Sequence, residues 1–218
     1  MYLSWNEKTT TDFSDKTIEA LYNDGYVFTR LGRGILNQTR SLRINLETFQ
    51  LSSENKRILK KTENLICTDS PIPYEQYTWN IHKMGKEFYE QKFGEKTFGA
   101  QKIKELITNS EKSNFNKLFT YSLNAEIVGY CISLETKNII HYCYPFYDLN
   151  IDYPNLGMGM MLQAIVRAKK ENKKYIYLGS AQRPTDTYKL QFNGLEWFDG
   201  KAWQANTNEL KQLLQNHS

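Results

Sequence analysis

Two glycines one residue apart, Gly157 and Gly159, stand directly ahead of a helix-patterned run in "NLGMGMMLQAIVRAKKENKKYIYLGS", residues 155–180. The first turn of a helix leaves backbone N–H groups unpaired, and with the helix dipole these favour phosphate or developing negative charge. A glycine there lets a ligand reach the backbone without meeting a Cβ. Leu156, Gly157, Met158, Gly159 and Met160 are therefore candidates for binding an anionic or acyl donor; the alternative is that the glycines only shape a strand-to-helix turn. The N–H groups of Gly157 to Met160, or those of strand ends near Tyr144 and Leu178, can serve as oxyanion donors. Tyr144, Tyr147 and Leu178 are substrate-binding candidates. Asp148, closing "YPFYD", either holds an ammonium or takes a proton through water, or it caps the end of a strand. Lys189, Arg40 and Arg43 offer charge to RNA phosphates or to an acidic substrate end, with an ordinary surface charge as the alternative for each.

Other chemistries find less support. His82, His141 and His217 are scattered, and none has a serine or cysteine at a spacing that suggests a nucleophile. Cys67, Cys131 and Cys143 are too few and too dispersed for a zinc site or a disulfide framework. The N-terminus "MYLSWNEKTT" lacks a basic region followed by an apolar run, and no segment approaches 18 consecutive apolar residues. A soluble cytoplasmic protein without membrane contact is expected.

The elements that must position these residues are legible in outline. With 218 residues, 40% of them hydrophobic and 14% aromatic, the chain is long enough for one elaborated domain or two small ones. The net charge of +4 alone implies no nucleic-acid partner. Two local runs, "KRILKK" (56–61) and "RAKKENKK" (167–174), leave room for RNA phosphates, although solvated helix faces produce the same pattern. "SDKTIEALYNDG" reads as a helix with Ser14 as N-cap and Gly25 as its stop. "YVFTRL" reads as a strand, and "SLRINLETF" alternates like a half-buried one. "SSENKRILKKTENL" is a helix opened by Ser52 or Ser53. The Pro-bearing "TDSPIPYEQ" is the best domain boundary, giving modules of 1–70 and 71–218. Helices at about Tyr74 to Gln91 and Gly99 to Asn109 precede strands, the glycine turn, a long helix, the strand "KYIYLG", a short helix and a tail. "EWFDGKAW" is a hairpin turning at Asp199-Gly200, with Trp197 and Trp203 packed across its strands. Alternating helices and strands indicate a mixed α/β (α+β) sheet.

A strand feeding a glycine turn, a helix and another strand resembles the acyltransferase fold of the GNAT superfamily. "YCYPFYDL", "NLGMGMMLQAIVRAKKENKKYIYLGS" and "TYKLQFNGLEWFDGKAW" are similar, in that order, to the C-terminal region of arginyl- and leucyl-tRNA–protein transferases. "FTRLGRGILNQTRSLRINLETFQLSSENKRILKKTENL" and "YEQYTWNIHKMGKEFYEQKFG" resemble that family's N-terminal module and its Tyr-then-His helix, here Tyr77 and His82. The resemblance implies tRNA-dependent transfer of an amino acid to a protein N-terminus, with aminoacyl-tRNA and a protein or peptide as partners. It also implies a proton-donating tyrosine at Tyr188, with a packing role as the alternative. The family usually carries a cysteine cluster after its first glycine turn, but "GILNQTRSL" (34–42) has none, so no metal or other cofactor is expected. Gly159 brings the turn closer to the G-x-G of acyl-CoA enzymes. Two alternatives follow, an N-acetyltransferase using acetyl-CoA and a non-catalytic binding module.

Overall fold

Ser14 opens the first helix: its side chain accepts a hydrogen bond from the Thr17 N–H at 3.4 Å, and α1 runs over Asp15–Asn23. A computed structural model of the chain describes residues 3–215; His217 lies outside them. The chain forms two compact units, each assembled from separate stretches.

The first unit takes in the described parts of Met1–Ser53, Thr136–His141 and Arg167–Ser218. In it β1 (Asn6–Thr9), β3 (Ile35–Gln38) and β2 (Tyr26–Phe28) pair antiparallel in the order β1-β3-β2. A second run of strands has β4 (Ser41–Asn45) between β9 (Tyr175–Ser180) and β10 (Leu195–Phe198), both antiparallel to it. On the far side of β9 the start of β8 (Ile139–Tyr147) pairs in parallel, Ile139 opposite Tyr175 and His141 opposite Tyr177. A parallel pair needs a crossover, and α5 (Leu156–Lys170) supplies it, as the glycine-turn pattern predicts. A 3-10 helix over Pro184–Gln191, the short strand β11 (Trp203–Gln204) and α6 (Thr207–Gln215) complete the unit.

The sequence treats β4 as half-buried, but Ser41, Leu42, Arg43 and Ile44 are all buried. A strand flanked on both edges and covered on both faces shows no exposed alternation. The Arg43 guanidinium accounts for the second covered face: it lies between the rings of Tyr175 and Trp203, 3.9 Å from each centroid, and pairs with Glu196 at 2.7 Å. The hairpin of β10 and β11 also differs from expectation. Its register puts Trp203 opposite Phe198 and Trp197 opposite Gln204, so Trp203 packs on Phe198 with centroids 5.4 Å apart. The reason is the loop, in which Asp199 N–H reaches the Ala202 carbonyl while Asp199 Oδ1 accepts from the Lys201 and Ala202 N–H groups.

The second unit comprises Glu54–Glu135 and Tyr142–Val166. Here β6 (Lys117–Leu123) pairs antiparallel with β7 (Glu126–Glu135) and with β5 (Ile66–Pro71), and the rest of β8 neighbours β7. The proline-bearing break expected near residue 70 is therefore part of a strand. Ile66 faces Ser122 and Pro71 faces Lys117, a position tolerable for proline because β5 is an edge. The helix α2 (Ser53–Lys61) starts at the expected serine. The helix α3 (Trp79–Phe93) starts several residues later than Tyr74, and α4 spans Ala100–Thr108. Its core includes Phe88, Ile103, Leu106, Leu118, Phe119, Phe146, Met160 and Ile165. The fold is of the expected mixed α/β class.

Candidate active site

In the second unit, the end of β8 and the start of α5 face each other. A Cβ added to Gly157 would lie 2.9 Å from Tyr147 Cε1 and 3.1 Å from its hydroxyl oxygen, so the tyrosine ring covers the first turn of α5. Burial raises the Tyr147 pKa, and Phe88 packs on the ring at 4.7 Å between centroids. Gly159 answers to a different neighbour. Its missing Cβ leaves room for Thr62, whose side-chain atoms would stand 2.7–2.9 Å away. The Gly159 N–H already donates to the Asn155 carbonyl at 2.8 Å, and the Leu156 N–H to Tyr153 at 3.2 Å. Leu156 and Met160 are buried, and the Met160 carbonyl accepts from the Tyr121 hydroxyl at 3.0 Å. Met158 is half-buried in the same turn.

Tyr147 and Asp148 line a groove of about 460 Å³ along α3, shared with Asn80, Lys83, Glu87 and Gln91. Asp148 shapes its rim, because Oδ1 accepts from both the N–H and the side-chain amide of Asn150, at 2.9 and 3.0 Å. This is an Asx turn closing β8. Tyr144 stands elsewhere in the unit, edge-on to Phe98 and Phe115. Tyr77 hydrogen bonds His82 Nδ1 and stacks on its ring.

Tyr188, Lys189, Leu178, Arg40 and Arg43 belong to the first unit. The 3-10 helix carrying Tyr188 and Lys189 is fixed by Asp186, whose Oδ2 accepts from the Gln182 and Arg183 N–H groups at 2.9 Å each. The sequence "RPTD" carries that signal, an acidic residue three beyond the cap with proline between, and it escapes a reading centred on glycines. Tyr188 is 47% exposed and lines a cavity of about 500 Å³ with Thr185, Gln191, Asn208 and Lys211. Lys189 Nζ donates to the Ser180 carbonyl at 3.0 Å and sits 4.0 Å from where a Gly179 Cβ would be. Gly179, at φ +76°, marks a register shift between β9 and β4, a backbone state that glycine adopts without strain. Leu178 is buried in β9.

Of the two arginines, Arg43 is committed inside the protein, to Glu196, to Asn23 Oδ1 at 3.3 Å and to the Tyr177 hydroxyl at 3.5 Å. Its charge holds β4 to β10 and is not presented to a ligand. Arg40 is 8% exposed, and burial lowers its pKa. Sequence reasoning passes over His141, which is buried with Nδ1 hydrogen bonded to the Tyr22 hydroxyl at 2.9 Å. The Tyr22 oxygen also accepts the Phe28 N–H at 3.2 Å. Burial, with Lys189 nearby, pushes the His141 pKa down to about 3.

The site thus offers a parallel strand pair bridged through a tight helix start, and a tyrosine at each of two candidate cavities. Residues 73–199 match the model of the arginine-tRNA-protein transferase C terminus, and the chain belongs to that family of aminoacyltransferases. Two aspartate/glutamate leucyltransferases are similar to it. The one from Ruegeria pomeroyi is 23% identical, covering 77% of this chain and 62% of its own length. The one from Saccharophagus degradans is 26% identical, covering 89% and 88%. This chain thus spans less than two thirds of the former and most of the latter. Among solved structures, that of L-PGS from Bacillus licheniformis covers 92% of this chain and 70% of its own, with a TM-score of 0.51 and 12% identity, a likeness of fold alone. Among the described residues no group of three or more histidine, cysteine or acidic side chains is placed to hold a metal ion, and no helix is long and apolar enough to cross a membrane.

Proposed function

We propose that the protein transfers an amino acid from aminoacyl-tRNA to the N-terminal α-amine of a protein, and that it is of the leucyl class with acidic first residues as acceptors. The family match over residues 73–199 carries the transferase reading, and the names of the similar proteins support the leucyl donor and the acidic acceptor. In the reaction the neutral amine attacks the ester carbonyl. A C–N bond forms, the C–O bond to the ribose breaks, the amine gives up a proton and the leaving oxygen takes one. The ester is activated at the outset, so positioning supplies much of the acceleration. In this reading Tyr188 supplies the leaving-group proton, and Lys189, held at the end of β9, adds positive charge.

Purified full-length protein tests this with labelled leucyl-tRNA and arginyl-tRNA, peptides beginning with Asp, Glu or Lys, and acetyl-CoA in parallel. Labelled leucine on the Asp and Glu peptides is expected; arginine there would move the protein to the arginyl class. Acetylation of amines with no transfer from any aminoacyl-tRNA would overturn the reading. The reaction needs no resident metal in this proposal, because residues 34–42 hold no cysteine. The protein is expected to purify colourless and to keep its activity in chelator, and stoichiometric iron or zinc after anaerobic purification would contradict that.

A further inference from the structure

Two arginines three residues apart are buried in the first unit, and only one has a counter-ion. Arg43 has Glu196. Arg40, more than nine-tenths covered, has no salt bridge among the described residues, and its Nε lacks any hydrogen-bond partner. A guanidinium cannot shed its proton in a protein, so burying one unpaired is costly. The backbone beneath it is nevertheless held firmly. The Ser41 N–H returns to the Thr39 carbonyl at 2.7 Å, making Arg40 the centre of a tight turn, and the Arg40 carbonyl accepts the Ala181 N–H at 3.0 Å. The Thr39 hydroxyl donates to the Leu3 carbonyl at 2.6 Å and accepts from the Gln182 amide at 3.1 Å. The next side chain, Ser41, is fully buried, and its Oγ is also without a partner. A buried guanidinium nitrogen without a partner on a pinned turn is a group held ready to donate, at a place where the protein supplies no acceptor.

We propose that Arg40 is the specificity residue for the acceptor, binding the side-chain carboxylate of its acidic first residue; this rests on the transferase reading given above. A planar guanidinium suits a carboxylate, which it can bind through two parallel N–H donors. The small exposed fraction of Arg40 favours a carboxylate at the end of a short side chain over an RNA phosphate, which arrives with a ribose on either side and needs open surface. Exposed lysines such as Lys56, Lys60 and Lys170 offer that kind of surface.

The test measures binding of labelled peptides that differ only in the first residue, Asp against Asn and Glu against Gln, to the wild-type protein, Arg40→Met and Arg40→Lys. The wild type is expected to prefer the acidic peptide at least tenfold. Arg40→Met should erase that preference without weakening the Asn peptide, and Arg40→Lys should keep part of it. Arg40→Met is expected to melt no lower than wild type, since it removes an unpaired buried charge. An unchanged preference for Asp in Arg40→Met would overturn the assignment, as would loss of tRNA affinity with the peptide preference intact. Transfer is scored separately. Arg40-dependent selection of acidic peptides with no transfer from any aminoacyl-tRNA would keep this subsite and overturn the transferase reading. Active transfer with no Arg40-dependent selection would do the reverse.

Discussion

Single side chains separate into those that hold the protein together and those left to act. Arg43 belongs to the first kind, and Tyr188, half exposed at a cavity, is proposed for the second. If Tyr188 donates the leaving-group proton, Tyr188→Phe should lower kcat by about 10²-fold, the lower end of the range for general acid catalysis, with little change in KM or melting temperature. Single-turnover transfer at saturating donor would show it, and an unaltered rate would return Tyr188 to the surface. His141 has a consequence for stability. Its folded pKa, about 3, lies below the unfolded value near 6.5, so the unfolded chain binds more protons in between. The stability this lends is complete above pH 6.5 and drains as the pH falls toward 3. Between pH 6.5 and pH 5 it should amount to about 2 kcal/mol. Urea denaturation across that interval should show the loss in the wild type and a smaller one in His141→Gln, and parallel curves would refute it.

Among elements, the start of α5 tests whether residues that pack also serve the donor. Gly157→Val would push the branched side chain against Tyr147 and lift the ring from the first turn of the helix. Transfer should fall at least tenfold while the urea midpoint moves little, because the clash is with one ring at a groove edge; near-normal turnover would show that the donor does not approach there. How much of such an element is legible in sequence depends on how local its causes are. Ser14 capping α1, Ser53 opening α2 and the strand–turn–helix–strand of β8, α5 and β9 are written within a few residues of where they act, and all are found as read. The buried face of β4 is not, since Arg43 owes its place to Glu196, 153 residues away. The partner of Trp203 depends on the register of a loop, and β5 is hidden by prolines that an edge strand tolerates. For the site, glycine spacing pointed to the start of α5. The packing of Gly159 on Thr62 and the missing counter-ion of Arg40 are products of tertiary contacts that no local pattern carries.

For the molecule as a whole the donor decides how binding responds to salt. A tRNA releases counterions from every phosphate that the protein neutralises, so log affinity should fall linearly with log salt, by about 0.7–0.9 per contact. Coenzyme A, with few charges, would show a shallow dependence. The structure divides the two basic runs into charges that face solvent and charges already employed. Lys56, Lys60, Lys61, Lys170 and Lys174 are exposed. Arg57 is exposed but paired with Glu54, Lys169 donates to the Phe49 carbonyl, and Lys173 donates to the Thr136 carbonyl at 2.6 Å. Neutralising the first group to Gln should therefore flatten the salt slope for tRNA while leaving the melting temperature unchanged, whereas the same change at Lys169 and Lys173 should lower the melting temperature. Filter binding of aminoacyl-tRNA from 50 to 300 mM salt, roughly the range over which such slopes are steep, gives the comparison. A wild-type affinity that hardly responds to salt would remove tRNA as the donor, and a steep slope untouched by the five exposed lysines would place the RNA on another face of the protein.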